Sequence, residues 1–166
     1  LQPESALYRL LLGDALVLAQ RTDDALAVYG EAATLDSTLQ ADVAWYLRMA
    51  SAYQAGGQLE DALAQARQAE QAALAAGETG EGALQAQADI LREQSRWQAA
   101  VDLYEQVLVL NPQRSEAIRG LALALEAQGR NQEAVRQWRA YLEQAPRGPF
   151  ADEAREHLRK LRQTSG

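Results

Sequence analysis

The sequence predicts an all-α chain in which about four helix-turn-helix repeats stack into a solenoid. Three observations predict it. A small residue on one helical stretch is followed twelve residues later by an alanine on the next, four times over: Gly13 and Ala25, Ala50 and Ala62, Ala88 and Ala100, Ala122 and Ala134. The second-helix anchors then recur at steps of 37, 38 and 34 residues from Ala25 to Ala62, Ala100 and Ala134. Finally, 48% of the 166 residues are apolar but only 6% aromatic, glycine and proline fall mainly between the helical stretches, and no strand pattern competes. A repeat of this kind cannot bury its apolar face alone, so copies stack and present an extended surface.

In chain order, Leu1-Gln2-Pro3 followed by Ala6 lies in the same register as Leu110-Asn111-Pro112 followed by Ser115. The chain therefore opens on what reads as the tail of a preceding repeat and, lacking an initiating methionine, is expected to be a fragment of a longer protein. The first repeat covers about residues 6–38. Its first helix is the apolar run Ala6 to Ala19, broken by Arg9 and Asp14 and too short to span a bilayer. Asp23 and Asp24 stand where its second helix begins, positions at which carboxylates cap free amides and favour the helix dipole.

The second repeat covers about 43–76. Without a closing proline, the alanine-rich stretch from Leu59 to Ala76 continues as one long helix until Gly77, which accounts for the 38-residue step and implies a local bend. Gly77-Glu78-Thr79-Gly80-Glu81-Gly82 is not a phosphate loop: no Gly-Lys-Ser/Thr follows, no strand precedes it, and its glutamates would repel phosphate. It reads as the turn into the third repeat, about 81–114, closed by Pro112; the fourth, about 115–148, is closed by Pro146. Arg147-Gly148-Pro149 then breaks the chain. Phe150, Ala154, Leu158 and Leu161 give a last amphipathic helix, within about 149–162, whose polar face would end the array.

The columns inside these repeats carry a resemblance. First helices show Leu12-Gly13-Leu16, Met49-Ala50-Tyr53, Gln87-Ala88-Leu91 and Leu121-Ala122-Leu125; second helices show Ala25-Tyr29-Ala32, Ala62-Ala66-Ala69, Ala100-Tyr104-Val107 and Ala134-Trp138-Tyr141. This pattern resembles the tetratricopeptide repeat, a helix-turn-helix unit of about 34 residues. Gln87 and Ala66 depart from it, standing where an apolar and an aromatic residue are expected. The resemblance implies a right-handed α-solenoid whose first helices line a concave groove, and a protein or peptide as partner.

Composition narrows the chemistry. A net charge of −7, with Lys160 the only lysine, argues against a general nucleic-acid or anionic-membrane role. No cysteine is present, so disulfides are excluded. The chain reads as a soluble segment whose compartment, bacterial cytoplasm or periplasm, the residues do not decide. The one histidine, His157, with Glu153 and Glu156 beside it, supplies at best two metal ligands on a helix expected to be solvated. Serines lack a base to activate them. No catalytic residue, cofactor or metal is expected.

Helical spacing of i, i+4 and i+7 places one face of each first helix in the groove: Leu10, Asp14 and Val17; then Leu47, Ser51 and Gln54; then Gln85, Asp89 and Arg92; then Arg119, Leu123 and Glu126. Arg48, Arg92 and Arg119 are cations on these helices and would meet an acidic residue of a partner that also carries hydrophobic anchors. Leu10 and Asp14 stand where lysine and asparagine would clamp a peptide carboxylate in one branch of the family, so that mode is rejected. Trp138 falls in a packing column, Trp97 opens a second helix and staples its turn, and Trp45, beside Tyr46, either packs or anchors a partner.

Two functions follow. In the first, a binding scaffold holds a partner segment in the groove. In the second, the chain self-associates or stacks on neighbouring repeats through the first helix, where Leu7, Leu10, Leu11, Val17 and Leu18 exceed what one buried face needs.

Overall fold

The computed structural model describes residues 5–163, which form nine α-helices and one short 3-10 helix, with no strand among them. In order these are α1 (Ala6–Leu18), α2 (Thr22–Leu35), the 3-10 helix (Ser37–Ala41), α3 (Val43–Ala55), α4 (Leu59–Ala75), α5 (Glu81–Glu93), α6 (Trp97–Leu110), α7 (Ser115–Ala127), α8 (Asn131–Gln144) and α9 (Ala151–Gln163). The opening tripeptide read as the tail of an earlier repeat lies outside the described residues.

The twelve-residue spacing has a local cause. Five residues before each second-helix anchor the backbone turns left-handed, at Gln20 (φ 59°), Gly57 (76°), Ser95 (59°) and Gly129 (73°). The next amide then reaches back to a carbonyl of the first helix, Arg21 to Leu16, Gln58 to Tyr53, Arg96 to Leu91 and Arg130 to Leu125, each at 2.9 Å. That closure satisfies carbonyls left free at a helix end and reverses the chain in a fixed number of residues. Helix starts are less uniform. Ser5 caps α1 and Asp42 caps α3 through their side chains, whereas α2 has no side-chain cap: Asp24 instead forms an ion pair with Arg21 at 2.7 Å, so the expected capping by the Asp23-Asp24 pair is absent.

The chain forms two compact units, Leu1–Ile90 and Leu91–Gly166, the division falling inside α5. In the N-terminal unit α1 packs on α2, α3 on α4, and α3 also on α1 and α2. Leu10, Ala25, Tyr29, Ala32 and Ala52 form a buried cluster there, against which Leu16, Val17, Trp45 and Met49 pack. Gly13 is required by this packing, since a Cβ at its position would lie 2.3 Å from the Tyr29 ring. In the C-terminal unit α7 packs on α6 and α8, and α9 packs on α8. Trp138, Tyr104 and Tyr141 are its large buried side chains, and Gly120 admits the Tyr104 ring as Gly13 admits Tyr29.

The anchor columns are buried as the repeat pattern requires, Gly13 among them, with Ala25, Ala62, Ala88, Ala100, Ala122 and Ala134 fully so. The two departures are resolved within the N-terminal unit. Ala66 is fully buried without an aromatic, and Gln87, also buried, donates from Nε2 to Glu70 Oε2 of α4 at 2.6 Å, so its amide is satisfied. Helix α4 runs seventeen residues and the chain reverses at Gly77 (φ 78°) and Gly80 (φ 66°), which makes the glycine-rich segment an inter-repeat turn.

Candidate functional site

In the N-terminal unit, a cleft of about 420 Å³ opens between α1 and α3, lined by Asp14, Val17 and Leu18 of α1, Tyr29 of α2, and Ala44, Leu47, Arg48 and Ser51 of α3. Its wall is largely apolar, and its polar groups are held in one network. The Tyr29 hydroxyl donates to Asp14 Oδ1 at 2.7 Å, and Arg48 Nε donates to the same carboxylate at 3.1 and 3.3 Å. Burial pushes the Tyr29 phenol far above its ordinary value, and the hydrogen bond to Asp14 and the charge of that carboxylate push it further, so it remains a donor. Arg48 thus spends Nε on Asp14, while its two Nη groups have no partner among the described residues. A planar guanidinium held by one edge can present the other to a ligand acceptor.

Four of the spacing-derived groove residues, Asp14, Val17, Leu47 and Ser51, come together here with Arg48, named as a first-helix cation. Leu10 does not, and this is a correction. It is 8% exposed, packed beneath the face with Tyr29 and Ala52, because α1 is covered by both α2 and α3. Gln54 is not among the lining residues. On α5, Gln85 is also buried, at 7% exposure, and donates to Asp89 at 3.0 Å, so this part of the predicted face is internally bonded. Sequence reasoning missed Leu18, Ala44 and Tyr29 as lining residues. Tyr29 was placed correctly as a packing aromatic, but its hydroxyl, coupled with an acid next to Gly13, was the available signal for a polar contact.

Trp45 packs. Its ring rests against the buried cluster and Nε1 donates to the Tyr29 carbonyl at 3.3 Å, while Tyr46 meets it edge-on and donates to the Gln40 carbonyl at 2.6 Å.

In the C-terminal unit the spacing-derived residues meet the chain's own last helix. Arg119 donates from Nε and Nη2 to the two carboxylate oxygens of Glu153 at 2.6 and 2.8 Å, and its guanidinium lies 4.2 Å from the centre of the Phe150 ring. This contact holds the Glu153 carboxyl below the usual glutamate range, chiefly through the Arg119 hydrogen bonds, with Arg92 among the smaller contributors. Arg92 itself donates to the Tyr104 hydroxyl at 3.3 Å. Glu126 accepts from Trp138 Nε1 and pairs with His157 Nδ1 at 2.9 Å, and His157 stacks on Trp138 with ring centres 4.9 Å apart. His157 is therefore held between helices, which corrects the expectation of a solvated face. Leu123 is half-buried. Among the described residues no group of three or more His, Cys, Asp or Glu side chains could hold a metal, and no helix is long and apolar enough to cross a membrane.

Buried small-residue columns, four matching turns and a first-helix cleft define a helical repeat protein. The comparisons name the family: two models described as tetratricopeptide repeat match residues 88–159 and 1–39, and the chain is a tetratricopeptide repeat protein. No curated protein matches it. Among solved structures, it is similar to a variant of the Podosopora anserina putative kinesin light chain with nearly identical TPR-like repeats, at TM-score 0.78, 19% identity and coverage of 100% of this chain and 89% of that one. It is also similar to MamA (TM-score 0.70, 18% identity, 96% and 91% covered) and to YrrB, described as a TPR protein with an unusual peptide-binding site (TM-score 0.68, 20% identity, 99% and 79% covered). At these identities the likeness concerns the fold, which is that of a protein-interaction scaffold in general, and such repeats are generally non-enzymatic.

Proposed function

We propose that the chain binds a segment of a protein partner in the α1/α3 cleft. An apolar side chain of the partner enters against Val17, Leu18 and Leu47, and a neighbouring carboxylate is received by the Nη edge of Arg48, with the Ser51 hydroxyl beside it. The observation that carries this reading is the fixed guanidinium: Asp14 and Tyr29 orient Arg48 at the wall of an otherwise apolar cleft, the pairing of hydrophobic area with a few placed polar groups that ligand sites use. A peptide site described for the structurally similar YrrB is consistent with this use of the fold.

Arg119 holds both carboxylate oxygens of Glu153 and Arg92 donates to the Tyr104 hydroxyl, which supports Arg48 as the arginine that meets a partner acid. Peptides selected from a random library on the immobilised chain should share an apolar residue within a few positions of Asp or Glu. Titration calorimetry should then show Arg48→Ala weakening the selected peptide about ten- to a hundredfold, since one charge-assisted contact is worth roughly 1.5–3 kcal/mol. Selection of peptides without an acid, or unchanged affinity in Arg48→Ala, would refute the assignment.

A further inference from the structure

Of the exposed leucines of α1, Leu18 also borders that cleft, whereas Leu7, Leu11 and the arginine-rimmed grooves of α8 and α9 have no part in it. Leu7 (56% exposed), Leu11 (44%), Ala15 and Leu18 (87%) follow one another at i, i+4, i+8 and i+11, which makes a continuous apolar stripe on the solvent side of α1. A groove of about 380 Å³ on α8 and α9 has Val135 and Leu161 in its floor and Arg136, Arg139 and Arg162 at its rim. A second, of about 350 Å³, joins it at Arg162 and adds Leu158, Arg155 and Arg159. Arg139 and Arg162 form no ion pair among the described residues.

The charge of the two units is opposite in sign. Residues 1–90 carry 13 acidic and 4 basic side chains, and residues 91–166 carry 10 and 12. On α2, the helix packed against α1, Asp23 is exposed and carries no ion pair among the described residues, while Asp24 and Glu31 are paired with Arg21 and Arg9 at 2.7 and 2.9 Å. An apolar stripe thus lies on a unit of net negative charge, and an apolar-floored groove with the unpaired Arg139 and Arg162 lies on a unit of net positive charge.

We propose that the α1 stripe of one copy docks in the α8/α9 groove of a second copy. The leucines supply the buried apolar area, and the net negative charge of the N-terminal unit, with Asp23 unpaired, meets Arg139 and Arg162, so charge selects this pairing over α1 against α1, which would bring like charges together. The interface is heterologous. Each copy in a pair keeps one surface of each kind unused, and association continues into larger species as concentration rises.

Sedimentation velocity of the chain over a concentration series reads this directly. The expected result is a weight-average mass that climbs with concentration beyond the dimer. Leu11→Glu and, separately, the double variant Arg139→Glu/Arg162→Glu should each weaken self-association about tenfold or more, with unchanged helical circular dichroism, because both sites are exposed. The deciding arm mixes the two variants. Leu11→Glu keeps an intact groove and the arginine variant an intact stripe, so together they should form a complex that stops at one copy of each. A chain that stays monomeric throughout, an arginine variant that associates like the parent, or a mixture that forms no 1:1 complex would overturn the proposal.

Discussion

Replacing Gly13 by alanine should destabilise the chain, although the same exchange in an ordinary helix interior stabilises by about 0.5–1 kcal/mol. The added Cβ would lie 2.3, 2.6 and 2.8 Å from three atoms of the Tyr29 ring, against ordinary carbon contacts of about 3.5–4.0 Å. The ring must therefore retreat by roughly 1 Å. It is 1% exposed, and its hydroxyl is fixed to Asp14 at 2.7 Å, so the movement both compresses the core and stretches a charge-assisted hydrogen bond. Overpacking of this kind costs about 1–3 kcal/mol, more than helix propensity returns. Gly30, on the exposed side of α2 with open space around the position of a Cβ, is the matched control and should gain about 0.5–1 kcal/mol on the same substitution. Urea denaturation followed by circular dichroism separates them by the sign of the midpoint shift. Gly120→Ala, whose Cβ would lie 2.3 Å from Tyr104, repeats the test in the C-terminal unit. If Gly13→Ala and Gly30→Ala moved the midpoint in the same direction, the close-packed glycine account would be wrong.

Ser95 holds a left-handed conformation that glycine adopts without steric cost, so Ser95→Gly should stabilise the chain by about 0.5–1 kcal/mol and raise the urea midpoint, while Gly129→Ser should lower it. Glu153 has its folded pKa depressed below the unfolded value; its pairing with Arg119 therefore stabilises the chain at neutral pH, and that contribution is lost as pH falls through the folded value, below the usual glutamate range. Thermal melts at pH 7 and pH 3 should accordingly show a smaller acid-induced drop in Glu153→Gln than in the parent, and an equal drop would contradict the pair's role.

The repeat was legible because the constraint that produces it is periodic. A left-handed turn five residues before each anchor alanine fixes the twelve-residue spacing, and close helix contacts demand small residues that stand out in sequence. Which side of a first helix is free was less legible. Spacing placed Leu10 on the groove face, yet α1 is covered from two directions and Leu10 fills the gap between them. Long-range pairs were invisible for another reason: Asp14 with Arg48, Arg119 with Glu153, and Glu126 with His157 join residues one repeat apart, and no local pattern marks them. The last two turned expected groove and surface groups into contacts with the chain's own terminal helix.

The central claim, that the α1/α3 cleft receives a partner segment, is tested most directly by mapping backbone amide shifts of the isotope-labelled chain as a library-selected peptide is titrated in. The account predicts that the perturbed amides cluster around Asp14, Val17, Leu47, Arg48 and Ser51 and that Arg48→Ala reduces the response at equal peptide concentration. Perturbations centred on α8 and α9, with the cleft residues unmoved, would contradict it.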